Sequence, residues 1–260
     1  MSDGERAVAF IRELYLRRCE RVEEHGWGVL VVTPSLPVVW DANFAIVDRW
    51  DGTPAELHAE LDAAQAGAGF AHRKTAILDQ ELAGRVWPAL REPDWPLGGR
   101  YLVMSHRREP DRAAAGIRAE EVDPDAFASI HEAMIRDEPW GSDPEVVRQL
   151  LGLDRRIASV VPTRPFGVAA DGVVVSAALL FQDGPVAQVE DVATLPAYRG
   201  RGFARAVVTT AVAEARRAGA EVVFLVADES DWPHLLYEKL GFDTVAVEHL
   251  AGRPASAPQA

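Results

Sequence analysis

The chain has 260 residues, 48% of them hydrophobic and 26% charged, which is typical of a globular protein with a sizeable buried core. Its formal net charge of −13 argues against nucleic-acid binding, because an acidic protein repels phosphate backbones. The sequence contains no apolar stretch long enough to span a bilayer, and residues 1–5 lack a signal-peptide pattern. We therefore expect a cytoplasmic protein that binds neither nucleic acid nor membrane.

The first 106 residues alternate between helical and strand-like patterns. A helix is predicted over residues 5–23, where apolar residues recur at three- and four-residue steps. We then predict strands at 29–33, 43–47, 74–78 and 101–105, and helices at 54–66 and 81–90. The charged, proline-containing stretch 107–116 is predicted to be a linker.

The second half alternates more clearly. We predict strands at 117–122, 166–170, 173–181, 186–194, 222–227 and 244–247, and helices at 124–134, 144–157, 202–218 and 232–240. Asp123 and Asp143 are suited to cap the first two of these helices. The Ala/Pro-rich tail, residues 251–260, is predicted to be mobile.

The segment 199–205 leads from a predicted strand directly into a predicted helix and has the features of an anion site. The first turn of a helix has free backbone N–H groups and the positive end of the helix dipole. Gly200 and Gly202 allow the backbone to approach a bulky anion, and three arginines add positive charge. These features predict a pyrophosphate site.

Other interpretations of this loop are open to test. It is not a Walker A motif, because no Gly-Lys-Ser/Thr follows, and Arg205 occupies the third glycine position of the dinucleotide fingerprint. An ordinary Gly-rich turn on a basic surface remains the alternative to a phosphate site.

Two motifs in the second half resemble those of the GNAT superfamily of N-acetyltransferases. Arg199, Gly202 and Ala204 match the fixed positions of the family's Gln/Arg-x-x-Gly-x-Gly/Ala consensus. Residues 236–242, LYEKLGF, resemble the family's LYxKxGF motif and follow at the expected distance. The resemblance implies an α/β fold of the GNAT acyl-CoA N-acyltransferase type, with a mixed central sheet flanked by helices.

The first half resembles a degenerate GNAT duplicate, because residues 24–106 repeat part of the same order of elements. It lacks the loop motif, and its nearest glycines, Gly67 and Gly69, come at the end of a helix, so we predict no cofactor there. The expected organisation is a degenerate domain (1–110), a linker (111–116), a catalytic domain (117–250) and a mobile tail (251–260).

The resemblance implies acetyl-CoA as the co-substrate, with no metal. The backbone of Val192, Ala193 and Thr194 would pair with the pantetheine arm like an added strand. The pyrophosphate would be held by Arg199, Gly200, Arg201, Gly202, Phe203, Ala204 and Arg205. Ser230 falls near the position where many members have a pantetheine-binding asparagine, so this contact departs from the family pattern.

The implied reaction is direct attack of a neutral amine on the thioester, which needs a base. Glu190 is the candidate, and Asp191 beside it should point to the opposite face of the strand. Either carboxylate could instead bind a cationic substrate or cap a neighbour. Tyr237 is the candidate proton donor to the leaving thiolate, because its ordinary pKa is close to that of a thiol; the alternative is a core aromatic.

The predicted function is acetyl transfer to a primary amine of a small molecule or peptide, and the acidic charge favours a cationic acceptor. A non-catalytic acyl-CoA sensor and a nucleotide-binding module are the alternatives. The sequence leaves a homodimer open. The seven histidines form no ligand cluster by spacing, and His131 is interpreted as structural or solvated.

Overall fold

The computed structural model describes residues 1–91, 95–114 and 116–254, and the strands in these ranges form one continuous mixed sheet. The strands are β1 (Arg21–His25), β2 (Gly28–Val32), β3 (Phe44–Val47), β4 (Arg73–Ile77), β5 (Arg100–His106), β6 (Glu120–Glu121), β7 (Thr163–Ala170), β8 (Val173–Asp183), β9 (Val186–Thr194), β10 (Val222–Asp228) and β11 (Phe242–Arg253). Their order across the sheet is β1-β2-β3-β4-β11-β5-β10-β9-β8-β7-β6. This architecture confirms the predicted mixed α/β fold.

Helices cover both faces of the sheet. They are α1 (Asp3–Arg18), α2 (Pro54–Gly67), α3 (Gln80–Arg91), α4 (Pro124–Asp137), α5 (Pro144–Val160), α6 (Phe203–Arg217) and α7 (Pro233–Lys239). Strand β8 shows the two faces directly: Leu179 packs in a cluster with α1, α4 and α5, whereas Leu180 packs with α6 and α7. Side chains alternate along a strand, so an apolar run such as β8 is buried on both sides.

The two predicted halves share the sheet instead of forming separate sheets. Strand β5 belongs to the predicted first domain, yet it pairs antiparallel with β10 on one side and with β11 on the other. Strand β11 in turn pairs with β4. The predicted linker at residues 111–116 therefore does not separate two sheets, and β5 fills the position between β10 and β11.

Three segments differ from the predicted elements. The first helix ends at Arg18 and not at residue 23, because residues 21–25 form β1 and pair with β2. The predicted strand 117–122 is paired only at Glu120–Glu121. Strand β11 continues to Arg253 because it pairs with β4, so residues 251–253 of the predicted mobile tail belong to the sheet. Residues 255–260 of that tail, and residue 115 of the linker, lie outside the described residues.

The predicted helix caps are confirmed. The side chain of Asp123 accepts a hydrogen bond from the backbone N–H of Asp125 (2.8 Å), and Asp143 does the same for Glu145 (2.8 Å). Both helices have proline at the following position, which suits the first turn. Within the described ranges, none of the helices combines the length and apolar character needed to cross a bilayer.

Gly241 fixes the corner between α7 and β11. Its φ is 93°, and its carbonyl accepts hydrogen bonds from the backbone N–H groups of Arg107 (2.9 Å) and Arg108 (3.1 Å) at the end of β5. A Cβ at Gly241 would lie 1.9 Å from the carbonyl oxygen of Arg108, whereas one at Gly219, with a similar φ of 91°, would meet no described atom within 4 Å.

Gly241→Ala should therefore destabilise the protein more than the matched control Gly219→Ala. The control incurs the left-handed backbone strain, about 1 kcal/mol. Gly241→Ala adds the clash with Arg108, a further cost of about 1–3 kcal/mol. Urea unfolding of both variants measures the difference, and equal losses would contradict the close approach of β5 to this corner.

Candidate functional site

The turn between β9 and α6 leaves a helix amino terminus open. Gly200 and Gly202 have φ values of 75° and 86°, a left-handed conformation that glycine adopts without strain. The N–H of Ala206 donates the first helical hydrogen bond, to the carbonyl of Gly202 (3.2 Å). The N–H groups of residues 203–205 therefore lack acceptors inside the helix, and no described side chain caps them. Such amides can bind an anion.

The three arginines of this loop have different surroundings. Arg199 and Arg201 are exposed; Arg199 donates to the carbonyl of Thr194 (3.1 Å), and the guanidinium of Arg201 lies 5.3 Å from the centre of the Tyr198 ring. Arg205 is buried and donates to the carboxylate of Asp111 (2.6 Å). The prediction that the Arg205 side chain helps hold the pyrophosphate is therefore wrong, because that side chain anchors the linker; only its backbone N–H faces the open turn.

Strands β9 and β10 diverge towards their carboxyl ends. They pair in parallel only between residues 186–188 and 222–224. Beyond this point, β10 pairs with β5 and β9 with β8, so the edge of β9 that faces β10 has no ladder partner in the described chain. Val192, Ala193 and Thr194 lie at this end of β9; the carbonyl of Ala193 accepts from the hydroxyl of Ser176 (3.0 Å). The remaining edge is suited to pairing with an extended ligand.

A bulge in β9 places Glu190 and Asp191 in the same cavity. The register against β8 shifts between Ala193 and Glu190, and Asp191 has a φ of 51°. Because a bulge breaks the alternation of side chains, both carboxyl groups line one chamber. The prediction that only one of them could face the cleft is wrong for this reason.

We call this cavity, about 310 Å³ in volume, the inner chamber. It lies among β9, β10 and helices α1, α4 and α5, and it also receives side chains from the first half of the chain. Its charged lining is predominantly acidic. Its carboxyl groups are those of Asp41, Asp154, Glu190, Asp191 and Glu248, and its cationic or titratable nitrogen groups are those of Arg18 and His131.

His131 lies in the inner chamber beside Asp154, where Nδ1 and a carboxylate oxygen are 2.7 Å apart. Burial opposes protonation, but the hydrogen bond to Asp154 and the charges of Asp191 and Glu190 raise the pKa of His131 above its usual value. The sequence did not indicate the His131–Asp154 pair, because Asp154 comes from the next helix. His131, Asp154 and Asp191 also hold ligand-type atoms within 4.8 Å of one another; the expected absence of a metal stays a prediction.

The two carboxyl groups of the bulge are weak acids. Burial raises the pKa of Glu190, and the charge of Asp191 raises it further. Burial also raises the pKa of Asp191, although His131 opposes this shift. A carboxyl group whose pKa moves towards neutrality is a better proton acceptor from an amine than an ordinary carboxylate.

Tyr237 is buried near the start of the LYEKLGF segment, on α7. Burial raises the pKa of Tyr237 above its ordinary value, and the negative charge of Glu190 raises it further. Before a ligand binds, the phenol is therefore a weaker acid than a free tyrosine, and its role as proton donor to the thiolate stays a prediction. At neutral pH its O–H stays intact and can donate a hydrogen bond.

Ser230 is exposed in the turn before α7. Its backbone N–H and its hydroxyl both donate to the same carboxylate oxygen of Asp228, each at 2.7 Å. The neighbouring Trp232 is 62% exposed. Ser230 therefore stabilises the local turn, and its contact with a pantetheine arm stays a prediction.

The first half contains the counterpart of the open turn, and there the helix terminus is filled. Strands β3 and β4 are parallel and joined by α2, like β9 and β10 by α6. The Thr53 hydroxyl accepts from the N–H of Glu56 (3.3 Å), and the Glu56 carboxylate accepts from the N–H of Thr53 (2.8 Å). These hydrogen bonds lower the pKa of Glu56 and put a negative charge where an anion would bind.

Comparison with known proteins agrees with this geometry. Residues 127–242 match the model described as the acetyltransferase (GNAT) family. No curated protein matches the sequence. A functionally unknown conserved protein from Staphylococcus epidermidis is 11% identical, with a TM-score of 0.71, over 95% of this chain and 98% of that chain.

Two further solved structures share the architecture along almost the whole chain. A GCN5-related N-acetyltransferase from Kribbella flavida is 20% identical, with a TM-score of 0.63, and the match covers 97% of this chain and 96% of that one. A tandem GNAT protein from the clavulanic acid biosynthesis pathway is 11% identical, with a TM-score of 0.56, over 98% and 97%. At these identities the likeness shows the fold alone, and it fits two GNAT-like halves.

Glu190→Gln should reduce the loss of stability at alkaline pH. The folded state binds the Glu190 proton more tightly than the unfolded state, so the free energy of unfolding falls as pH rises from the ordinary carboxyl range through the folded pKa. Glutamine carries no charge, so the variant should melt at a higher temperature than the wild type at pH 9. The difference should be about 2–4 °C for each kcal/mol of unfolding free energy that the buried Glu190 charge costs the wild type. Melting curves from pH 5 to 9 test this, with exposed Glu60→Gln as control; identical slopes would contradict the shift.

Proposed function

We propose that the protein transfers an acetyl group from acetyl-CoA to a primary amine of a small molecule or peptide, because residues 127–242 match the acetyltransferase (GNAT) family model. The observation that carries the proposal is the open amino terminus of α6 at the end of a diverging strand pair. One end of this gap offers unbonded amides for a diphosphate, and the other opens into a chamber with candidate proton acceptors.

The proposed cofactor site follows the gap. The N–H groups of residues 203–205 bind the diphosphate, and exposed Arg199 and Arg201 add charge to it. The free edge of β9 at Val192, Ala193 and Thr194 hydrogen-bonds the pantetheine arm as an added strand would. The thioester then lies between β9 and β10, beside Glu190.

The proposed chemistry is a direct transfer. A cationic amine enters the acidic inner chamber, and the Glu190 carboxylate removes one proton so that the nitrogen has a free lone pair. The nitrogen attacks the thioester carbonyl, the new C–N bond forms, and the C–S bond breaks. The hydroxyl of Tyr237 stabilises the departing sulfur by a hydrogen bond. The nitrogen loses its second proton, which ends on the thiolate, and the first proton leaves Glu190 for solvent. The His131–Asp154 pair lies beside Asp191, where the positive charge of protonated His131 offsets part of the negative charge of the carboxyl groups.

Gly200→Asp should weaken acetyl-CoA binding. Gly200 has open space around it, so the aspartate side chain meets no clash, but its charge repels the diphosphate; the backbone strain at a φ of 75° is shared by the control. We expect the dissociation constant to rise at least about tenfold, equivalent to about 1.4 kcal/mol. Gly172→Asp is the matched control, because Gly172 has a φ of 79° and equally open surroundings in the β7–β8 turn.

Isothermal titration of both variants with acetyl-CoA makes the measurement. Equal affinities for the two variants would show that the ligand does not use this turn. A wild-type protein that binds ATP or NAD but not acetyl-CoA would instead favour the nucleotide-binding alternative.

Glu190→Gln should slow acetyl transfer with little effect on acetyl-CoA binding. Loss of a positioned base lowers kcat by about 10²–10⁴-fold. Tyr237→Phe should lower kcat less, because it removes one hydrogen bond to the leaving sulfur. Release of free thiol from acetyl-CoA in the presence of an amine measures both, with Glu60→Gln as the control. Tight acetyl-CoA binding by the wild type without transfer to any amine would support the sensor alternative.

A further inference from the structure

A second chamber adjoins the acidic one. This outer chamber has a volume of about 560 Å³ and shares Asp41, Tyr101, Leu150 and Leu250 with the inner chamber. The two chambers are therefore neighbours, and the volume of the outer one is within the size range of small-molecule sites. Its lining includes residues 38–41, Leu97 and Tyr101 from the first half of the chain, and Trp140 from the turn between α4 and α5.

The outer chamber is apolar. Its lining includes the side chains of Val38, Val39, Trp40, Leu97, Trp140 and Val146. The charged groups among its described lining residues are Asp41 and Lys74, and these two form an ion pair with each other. Val38, Leu97 and Trp140 are 40%, 45% and 50% exposed, so the apolar surface is accessible to a ligand. Accessible apolar surface in a concave site favours an apolar guest.

The inner chamber is short of positive charge. Of its five carboxyl groups, Asp41 is paired with Lys74 and Asp154 with His131, so the guanidinium of Arg18 is the cation that remains against Glu190, Asp191 and Glu248. Arg18 is itself tied to the carbonyl of Asp41 (2.8 Å) and lies over the ring of Tyr15, 4.6 Å from its centre. Glu248 accepts a hydrogen bond from the hydroxyl of Tyr15 (2.9 Å), which leaves Glu190 and Asp191 to face an incoming cation.

We propose that the acceptor is an amphipathic monoamine: one ammonium group enters the inner chamber, and a bulky apolar or aromatic group fills the outer chamber. This inference rests on the proposed function and adds the substrate class to it. A diamine of similar length would place its second charge against the apolar walls of the outer chamber, where an unpaired charge is strongly disfavoured. A small polar amine would leave the outer chamber filled with water and lose the apolar contact.

The first half of the chain thus selects the acceptor. Trp40 and Leu97 belong to it, and so do Tyr101 and Asp41, which line both chambers. The half whose helix terminus is capped therefore forms part of the wall of the acceptor site.

Acetyl transfer by the full chain to three amines tests the substrate class. The probes are 2-phenylethylamine, ethanolamine and 1,4-diaminobutane, each with saturating acetyl-CoA. Burial of a phenyl group should raise kcat/KM for 2-phenylethylamine at least about tenfold above that for either polar amine. Equal or higher kcat/KM for ethanolamine or 1,4-diaminobutane would overturn the inference and leave the proposed function intact.

A matched pair of exposed valines locates the effect. Val38→Ser, at the outer chamber, should lower kcat/KM for 2-phenylethylamine about threefold or more while leaving that for ethanolamine unchanged. Val173→Ser, at the exposed β7–β8 turn, should change neither. An equal fall for both amines in Val38→Ser would overturn the inference. Binding of acetyl-CoA without any transfer to 2-phenylethylamine would overturn it as well, and absence of acetyl-CoA binding would defeat the proposed function itself.

Discussion

The hydrogen-bonding state of a helix amino terminus distinguishes the two halves of this protein. Both halves contain a parallel strand pair joined by a helix, and each such helix begins with amides that need acceptors. In α2 the chain supplies them through Thr53 and Glu56, and the carboxylate of Glu56 excludes another anion. In α6, Gly200 and Gly202 carry no side chain, and the amides stay open. The presence or absence of one capping box is therefore the difference between the two helix starts, and the proposed diphosphate site depends on its absence from α6.

The continuous sheet makes the second half depend structurally on the first. Strand β5 lies between β10 and β11, so the second half has an incomplete sheet without it. Helix α1 packs Phe10 and Leu14 against the same cluster as α4 and α5, and it brings Arg18 to the inner chamber. The first half thus supplies a central strand, a covering helix and the outer wall of the cleft. It contributes to the site by packing α1 against the sheet and by lining the two chambers.

Sequence reasoning succeeded where the determinant is local. The glycines of the loop, the start of α6 and the Asp123 and Asp143 caps each depend on neighbours within a few residues. It failed where the determinant is distant or where alternation breaks. Arg205 is engaged by Asp111, 94 residues earlier, and periodicity cannot indicate such a pair. The bulge at Asp191 reverses the expected direction of a side chain, and its signal, a positive φ at a non-glycine residue, exists only in the fold.

Amide hydrogen exchange with and without coenzyme A tests the central claim most directly, because it reads the backbone N–H groups themselves. The account predicts slower exchange on ligand addition in peptides that cover residues 192–205. It predicts no change in peptides that cover residues 53–58, where α2 begins with its own side-chain acceptors. Unchanged exchange across residues 192–205 at saturating coenzyme A, or protection confined to the start of α2, would contradict it.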